Sequence, residues 1–197
     1  RPNFRSVGLK MSSAALLNPP EVLESLPGLG TKLILLQRAN RVKHALSLYR
    51  SNVEKKSQFE YKGERPPSQV DMEQFDFWLY KARIMHETSE KLRANAEVVF
   101  ARDSLMTLNY EDFVTNREKG RTIKRLTAFL EIDQPQLGAS KFQKATPDKI
   151  KDAVVNYYEL AHHLKRSKYS RDLSDSWWGK SWRQVARSMP RSSQPTR

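Results

Sequence analysis

The chain has 197 residues, of which 38% are hydrophobic and 10% aromatic. This is enough for one folded domain with a tail. It contains no cysteine and only four histidines, which excludes disulfides and thiolate metal sites and argues against a histidine zinc site. The net charge of +13 favours polyanionic partners: nucleic acid, phosphorylated cofactors or an acidic surface in a larger assembly.

The sequence predicts no membrane span, because no apolar run approaches the ~18–20 residues that cross a bilayer. No signal peptide is visible either. The chain begins with Arg1 rather than Met, and we interpret this as an upstream segment that was removed by processing or omitted. The sequence does not specify a compartment. An intracellular location fits, including an organelle reached after removal of an N-terminal segment.

The first predicted strand follows a Pro- and Gly-rich region, residues 1–31, in which we expect loop and one short helix near Glu21–Leu26. The apolar run at Lys32–Gln37 is typical of a buried parallel strand. Asn40 is a favoured N-cap residue and predicts the start of a helix. The apolar face expected for that helix comprises Val42, Ala45, Leu46, Tyr49 and Val53.

The second predicted strand, Leu105–Leu108, lies between long amphipathic segments. In chain order, the remaining predicted elements are a polar loop at 57–70, a helix from about Asp71 to Ala101, this strand, a helix from about Asn116 to Leu130, a loop at 133–146, and a helix that begins at Pro147 and continues to about Lys165.

Two strand-then-helix units predict a helix-rich α/β fold, with a parallel sheet flanked by helices. The strands Lys32–Gln37 and Leu105–Leu108 should be parallel neighbours. Two strands are few for an open sheet, so we expect further strands from upstream sequence, from residues 1–20 or from a partner. We assign residues 1–166 to the α/β domain and residues 167–197 to a basic, Trp-containing tail.

The junction between the first strand and its helix is the candidate anion site. Arg38 ends the strand and Asn40 opens the helix, at the sheet edge where open α/β folds bind ligands. A helix N-terminus attracts anions, and an Arg side chain can form paired hydrogen bonds to a phosphate. Ser47 lies two turns into the helix. The alternative is that Arg38 pairs with a carboxylate and Ser47 only packs.

The same segment resembles a known motif. Gln37–Ser47 (QRANRVKHALS) is similar to the 3′-phosphate motif of sulfotransferases: a strand, an Arg, an Asn and a helical Ser. Other segments resemble, in the same order, the bacterial trehalose-sulfotransferase-like branch of this family. These are Val7–Met11 (VGLKM), similar to a strand before the motif; Leu108–Phe113 (LNYEDF) with Phe129–Ile132 (FLEI), similar to a strand-turn-helix; and Val155–Leu164 (VNYYELAHHL), similar to the C-terminal helix.

The resemblance implies a truncated sulfotransferase-like fold with a P-loop-like architecture. It implies that Arg38 and Ser47 hold the 3′-phosphate of the donor 3′-phosphoadenosine 5′-phosphosulfate, with Asn40 as a further cofactor-binding residue. Lys141 and Lys144, in a late loop, are the matching basic contacts. Many family members have Arg directly before the Asn, whereas Ala39 intervenes here.

One family feature is missing from this sequence. Members grip the 5′-phosphosulfate with a Gly/Ser/Thr-rich loop after their first strand, and residues 1–31 contain no such loop. We therefore assign no catalytic residue, and we expect no metal. Glu111 and Asp112 are adjacent, and we expect a turn or helix-capping role for them rather than an acid/base pair.

The tail mixes Trp with basic residues, which suits either a protein partner or single-stranded nucleic acid. We favour other protein subunits. The candidate contacts are Trp177, Trp178, Trp182, Arg183 and Arg187.

Three functions remain open. The first is a non-catalytic, sulfotransferase-like structural subunit of a larger assembly. The second is an active sulfotransferase whose donor loop lies upstream and which uses 3′-phosphoadenosine 5′-phosphosulfate. The third is a nucleic-acid-binding component of a ribosome-like assembly.

Overall fold

The computed structural model describes residues 8–54, 66–114, 116–132 and 149–173. Within them the chain forms two strands and eight α-helices. In chain order these are α1 (Ser13–Leu17), α2 (Glu21–Ser25), β1 (Leu33–Gln37), α3 (Arg41–Asn52), α4 (Met72–Val99), β2 (Leu105–Asn109), α5 (Tyr110–Val114), α6 (Asn116–Leu130), α7 (Ile150–Ala153) and α8 (Tyr157–Leu164), with 3₁₀ turns at Pro27–Leu29 and Ser170–Leu173. None of these helices is long and apolar enough to cross a membrane.

The two strands form a parallel sheet flanked by helices, so the predicted α/β class and the predicted parallel pairing are confirmed. Leu33 lies opposite Leu105 at one end of the ladder, and Gln37 lies opposite Asn109 at the other. The strands therefore end level with each other. Whatever follows them in the chain meets at the same edge of the sheet.

Helices α3 and α4 begin at side-chain caps. The Asn40 side chain accepts a hydrogen bond from the Lys43 amide at 2.8 Å, and Asp71 accepts one from the Gln74 amide at 2.8 Å. Each cap satisfies an amide that has no partner within its helix. The predicted starts of α3 and α4 are confirmed.

Two apolar clusters hold the fold together, and α4 contributes to both. In the first apolar cluster, the first half of α4 packs with α3 and the C-terminal helices. The buried members of this cluster include Val42, Leu46, Phe75, Leu79, Ile150, Leu160 and Leu164. In the second apolar cluster, the second half of α4 packs against β1 and the N-terminal helices. The buried members of this cluster are Leu16, Leu23, Leu35, Leu92, Ala96 and Phe100.

The prediction of one helix from Pro147 to Lys165 is wrong over its described part, where α7 and α8 are separated by three residues. Val154 forms a parallel bridge with Ser68. The Asn156 side chain accepts from the Val70 amide at 2.9 Å and donates to the Val70 carbonyl at 2.8 Å. Residues 154–156 pair with residues 68–70, which precede α4. The backbone at Val154 is therefore extended, whereas an uninterrupted helix would require helical backbone there.

Two other departures concern segments that resemble family motifs. The segment Val7–Met11 was expected to be a strand, but its described residues 8–11 belong to none, and α1 follows them. Helix α5 begins directly after β2, without an intervening turn.

Candidate anion-binding site

Arg38 and Tyr110 follow the two strands and therefore lie side by side. The guanidinium carbon of Arg38 is 4.6 Å from the centroid of the Tyr110 ring. This cation–π contact restricts the Arg38 side chain without neutralising its charge. Within the part of the chain that the structure describes, no carboxylate forms an ion pair with Arg38.

The backbone at the start of α3 is bound by a carboxylate from α5. Glu111 accepts hydrogen bonds from the amides of Ala39 at 3.0 Å and Asn40 at 3.2 Å. Its predicted capping role is confirmed, but it caps a helix other than its own. Negatively charged acceptors such as this carboxylate are stabilising at a helix N-terminus. The contact ties the β1–α3 junction to the β2–α5 junction.

A second carboxylate reaches the same turn from the C-terminal segment. Asp172 accepts from the Arg41 amide at 3.2 Å, and its backbone carbonyl accepts from the Asn40 side-chain amide at 2.7 Å. The amides of three consecutive residues at the start of α3 therefore bind groups of this same chain. The predicted anion position at the first turn is filled by the protein's own carboxylates.

These groups share one electrostatic environment. Burial raises the pKa of Asp172 above its usual range, while the hydrogen bond from the Arg41 amide acts in the opposite direction. Burial lowers the pKa of His44, on α3, and the charge of Arg38 lowers it further, against the opposing effect of Glu111. Burial and the Arg38 charge therefore both favour the neutral form of His44.

Ser47 is partly buried on α3, seven residues beyond Asn40. This separation corresponds to roughly 10 Å along the helix axis. A phosphate bound at Ser47 would lie beside the helix, and a long side chain such as that of Arg38 would have to reach it. The assignment of Arg38 and Ser47 to the 3′-phosphate, and of Asn40 to cofactor binding, stays a prediction.

Other predicted contacts lie outside the described residues: Lys141 and Lys144 of the late loop, and Trp177, Trp178, Trp182, Arg183 and Arg187 of the tail. Within the described ranges, no cluster of three or more His, Asp or Glu side chains could hold a metal ion.

The position of Asp172 at this site could not be predicted from the sequence. The residue is 131 positions from Arg41, in the predicted tail, and no local pattern connects them. The capping preference of Glu111 was visible in the sequence, but the helix that it caps was not.

Comparison of the chain with protein-family models, with curated proteins and with solved structures finds no match. The function proposed for it therefore rests on the arrangement of its residues and on the resemblance of its motifs.

Proposed function

We propose that this chain is a sulfotransferase-like domain that binds the 3′-phosphate of an adenosine nucleotide and acts as a structural subunit of a larger protein assembly. Within its 197 residues it does not transfer sulfate. The observation that carries the proposal is Arg38: a guanidinium without an ion-pair partner among the described residues, held over Tyr110 at the carboxyl end of a parallel strand.

The arrangement supports an anion held by side chains. Glu111 and Asp172 bind the amides at the start of α3, so a phosphate has to be recognised by the Arg38 guanidinium and the Ser47 hydroxyl instead. Arg offers a planar set of donors that matches phosphate oxygens. Because Arg38 stacks on Tyr110, its side chain already has few accessible rotamers. Phosphate binding would therefore cost less conformational entropy.

The described N-terminal residues support the proposal that this chain does not transfer sulfate. Before β1 they form α1, α2 and a 3₁₀ turn, and not a strand followed by a Gly-rich loop. Sulfuryl transfer, like phosphoryl transfer, requires donors aimed at the charge of the transferred group. A site that holds only the 3′-phosphate anchors the donor without accelerating the reaction.

Two observations support an assembly role. The net charge is +13, and the sheet has two strands over the described residues, each with an unpaired edge. Such edges bind further strands, which a partner protein or the rest of the gene product would supply. Nucleic acid is the alternative partner for the positive charge.

Replacing Arg38 with Ala should weaken binding of adenosine 3′,5′-bisphosphate by about 1.5–3 kcal/mol, the usual value of a charge-assisted hydrogen bond. Isothermal titration calorimetry on both proteins measures this. Adenosine 5′-monophosphate, which lacks the 3′-phosphate, should bind more weakly to the wild type and should not distinguish the variant.

The control is Arg102→Ala, which removes the same charge from an exposed loop residue and should leave the affinity unchanged. Equal affinities of the wild type and the Arg38→Ala variant would contradict the assignment. Absence of binding by the wild type would remove the nucleotide from the proposal and leave only the structural role.

The 197-residue chain should not transfer radiolabelled sulfate from 3′-phosphoadenosine 5′-phosphosulfate to sugars or phenols above the rate without protein. The physical reason is the missing cradle for the transferred group. Turnover that is abolished by Arg38→Ala would return the chain to the enzyme class. Turnover restored only by added upstream sequence would support the second function.

A further inference from the structure

The outward face of α4 carries a line of large apolar side chains. Phe77, Tyr80 and Ile84 are 53%, 52% and 38% exposed. Their spacing of three and four residues places them on one side of the helix. We refer to these three residues as the α4 stripe.

The stripe lies opposite the face that packs into the protein. The buried residues Phe75, Leu79 and Ala82 of the same helix belong to the first apolar cluster, and at about 100° per residue the stripe falls on the far side. A contiguous group of exposed aromatic and aliphatic side chains is typical of an interaction surface. Apolar side chains scattered singly over a surface need no such explanation.

Cations border the stripe. The Lys81 ammonium lies 5.9 Å from the centroid of the Phe77 ring, and the Arg83 guanidinium lies 5.1 Å from that of Tyr80. These contacts restrict the two rings and place the apolar parts of the basic side chains beside them.

We propose that α4 packs antiparallel against α4 of a second copy of this chain, about a two-fold axis at the level of Ala82. Tyr80 and Ile84 are each two residues from Ala82, so the axis places Tyr80 of one copy opposite Ile84 of the other. A two-fold interface of this kind uses one surface twice, which is the commonest way for soluble chains to pair.

Charge complementarity between Glu73 and Lys91 favours a second copy in this direction. Glu73 and Lys91 are each nine residues from Ala82, both are exposed, and both lie on the stripe side of α4. Neither forms an ion pair with another residue that the structure describes. The antiparallel alignment brings Glu73 of each copy opposite Lys91 of the other, whereas a parallel alignment would oppose like charges.

The expected dimer is reversible. The segment from Glu73 to Lys91 is roughly 27 Å long, and three large apolar side chains per copy make a small interface. The net charge of +13 adds repulsion between copies, which salt screens. Measurements should therefore be made at physiological ionic strength. This inference does not depend on nucleotide binding.

Sedimentation equilibrium of the full chain over a range of concentrations should show a monomer–dimer equilibrium. Ile84→Glu should weaken the dimer at least about tenfold, because it places a charge where an apolar side chain is buried. The control is Leu29→Glu, which changes an apolar residue that is 77% exposed outside α4. A monomer at every concentration, or equal weakening by both variants, would overturn the proposal.

Charge exchange tests the alignment separately. Glu73→Lys and Lys91→Glu should each weaken the dimer, and the double variant should restore it. The chain has no cysteine, so a mixture of Glu73→Cys and Lys91→Cys proteins should form a disulfide between the two variants under mild oxidation. Disulfides within each separate preparation, and none between variants, would show a parallel pairing and refute the axis.

Discussion

A chain that ends at Arg166 will be less stable than a chain that ends at Leu173, by on the order of 3–5 kcal/mol. Tyr169 and Leu173 are 8% and 6% exposed and belong to the first apolar cluster. Asp172 also binds the start of α3. Removing residues 167–173 exposes the cluster and leaves the Arg41 amide without its acceptor.

Urea denaturation followed by circular dichroism measures the difference, with the chain that ends at Leu173 as the matched control. Leu173→Ala in the full chain should reproduce part of the loss, on the order of 2 kcal/mol or more. If both truncated chains unfold at the same urea concentration, residues 167–173 do not stabilise the fold.

Replacing Glu111 with Ala should lower the free energy of unfolding by on the order of 2–4 kcal/mol. The carboxylate accepts two backbone hydrogen bonds, a single bond to a charged acceptor contributes about 1.5–3 kcal/mol, and two bonds to one carboxylate do not add in full. The amides of Ala39 and Asn40 would lose their acceptor. Their hydrogen-exchange protection should fall with the stability. Glu111→Gln keeps an acceptor oxygen, so its free energy of unfolding should lie between those of the wild type and the Glu111→Ala variant.

Asp112→Ala is the control for this substitution. Asp112 is the next residue in α5, and its carboxylate accepts from the Asn109 side chain at 3.4 Å, which is a long and weak hydrogen bond. Its replacement should cost well under half as much. Equal losses from the two variants would mean that the negative charge of α5, and not the contact with α3, accounts for the effect.

The features that the sequence predicted correctly depend on short segments. Asn40 and Asp71 cap helices through amides three residues ahead, so the pattern needed to find them is local. The apolar runs of β1 and β2 predicted strands, and the strand-then-helix order predicted their parallel pairing. These inferences required no knowledge of distant contacts. The expected burial of β1 is wrong, because Leu35 is buried but Leu36 is 58% exposed.

The predictions that failed concern segments whose structure depends on residues far away in the sequence. Apolar spacing predicted a continuous helix through Val154, but pairing with Ser68 and Val70 opens the chain there. At the candidate site the sequence indicated a helix start with available donors. The carboxylates that bind those donors, Glu111 and Asp172, come from distant positions and follow no local pattern.

The contacts at the start of α3 also set an order of events during synthesis. The partners of Asn40 and Ala39 lie 132 and 72 positions further along the chain. A ribosome that makes about 5–20 residues per second therefore presents β1 and α3 several seconds before Asp172 exists. Until then the nascent helix lacks the last of its N-terminal acceptors, so the β1–α3 junction is among the last parts of the domain to reach its final form.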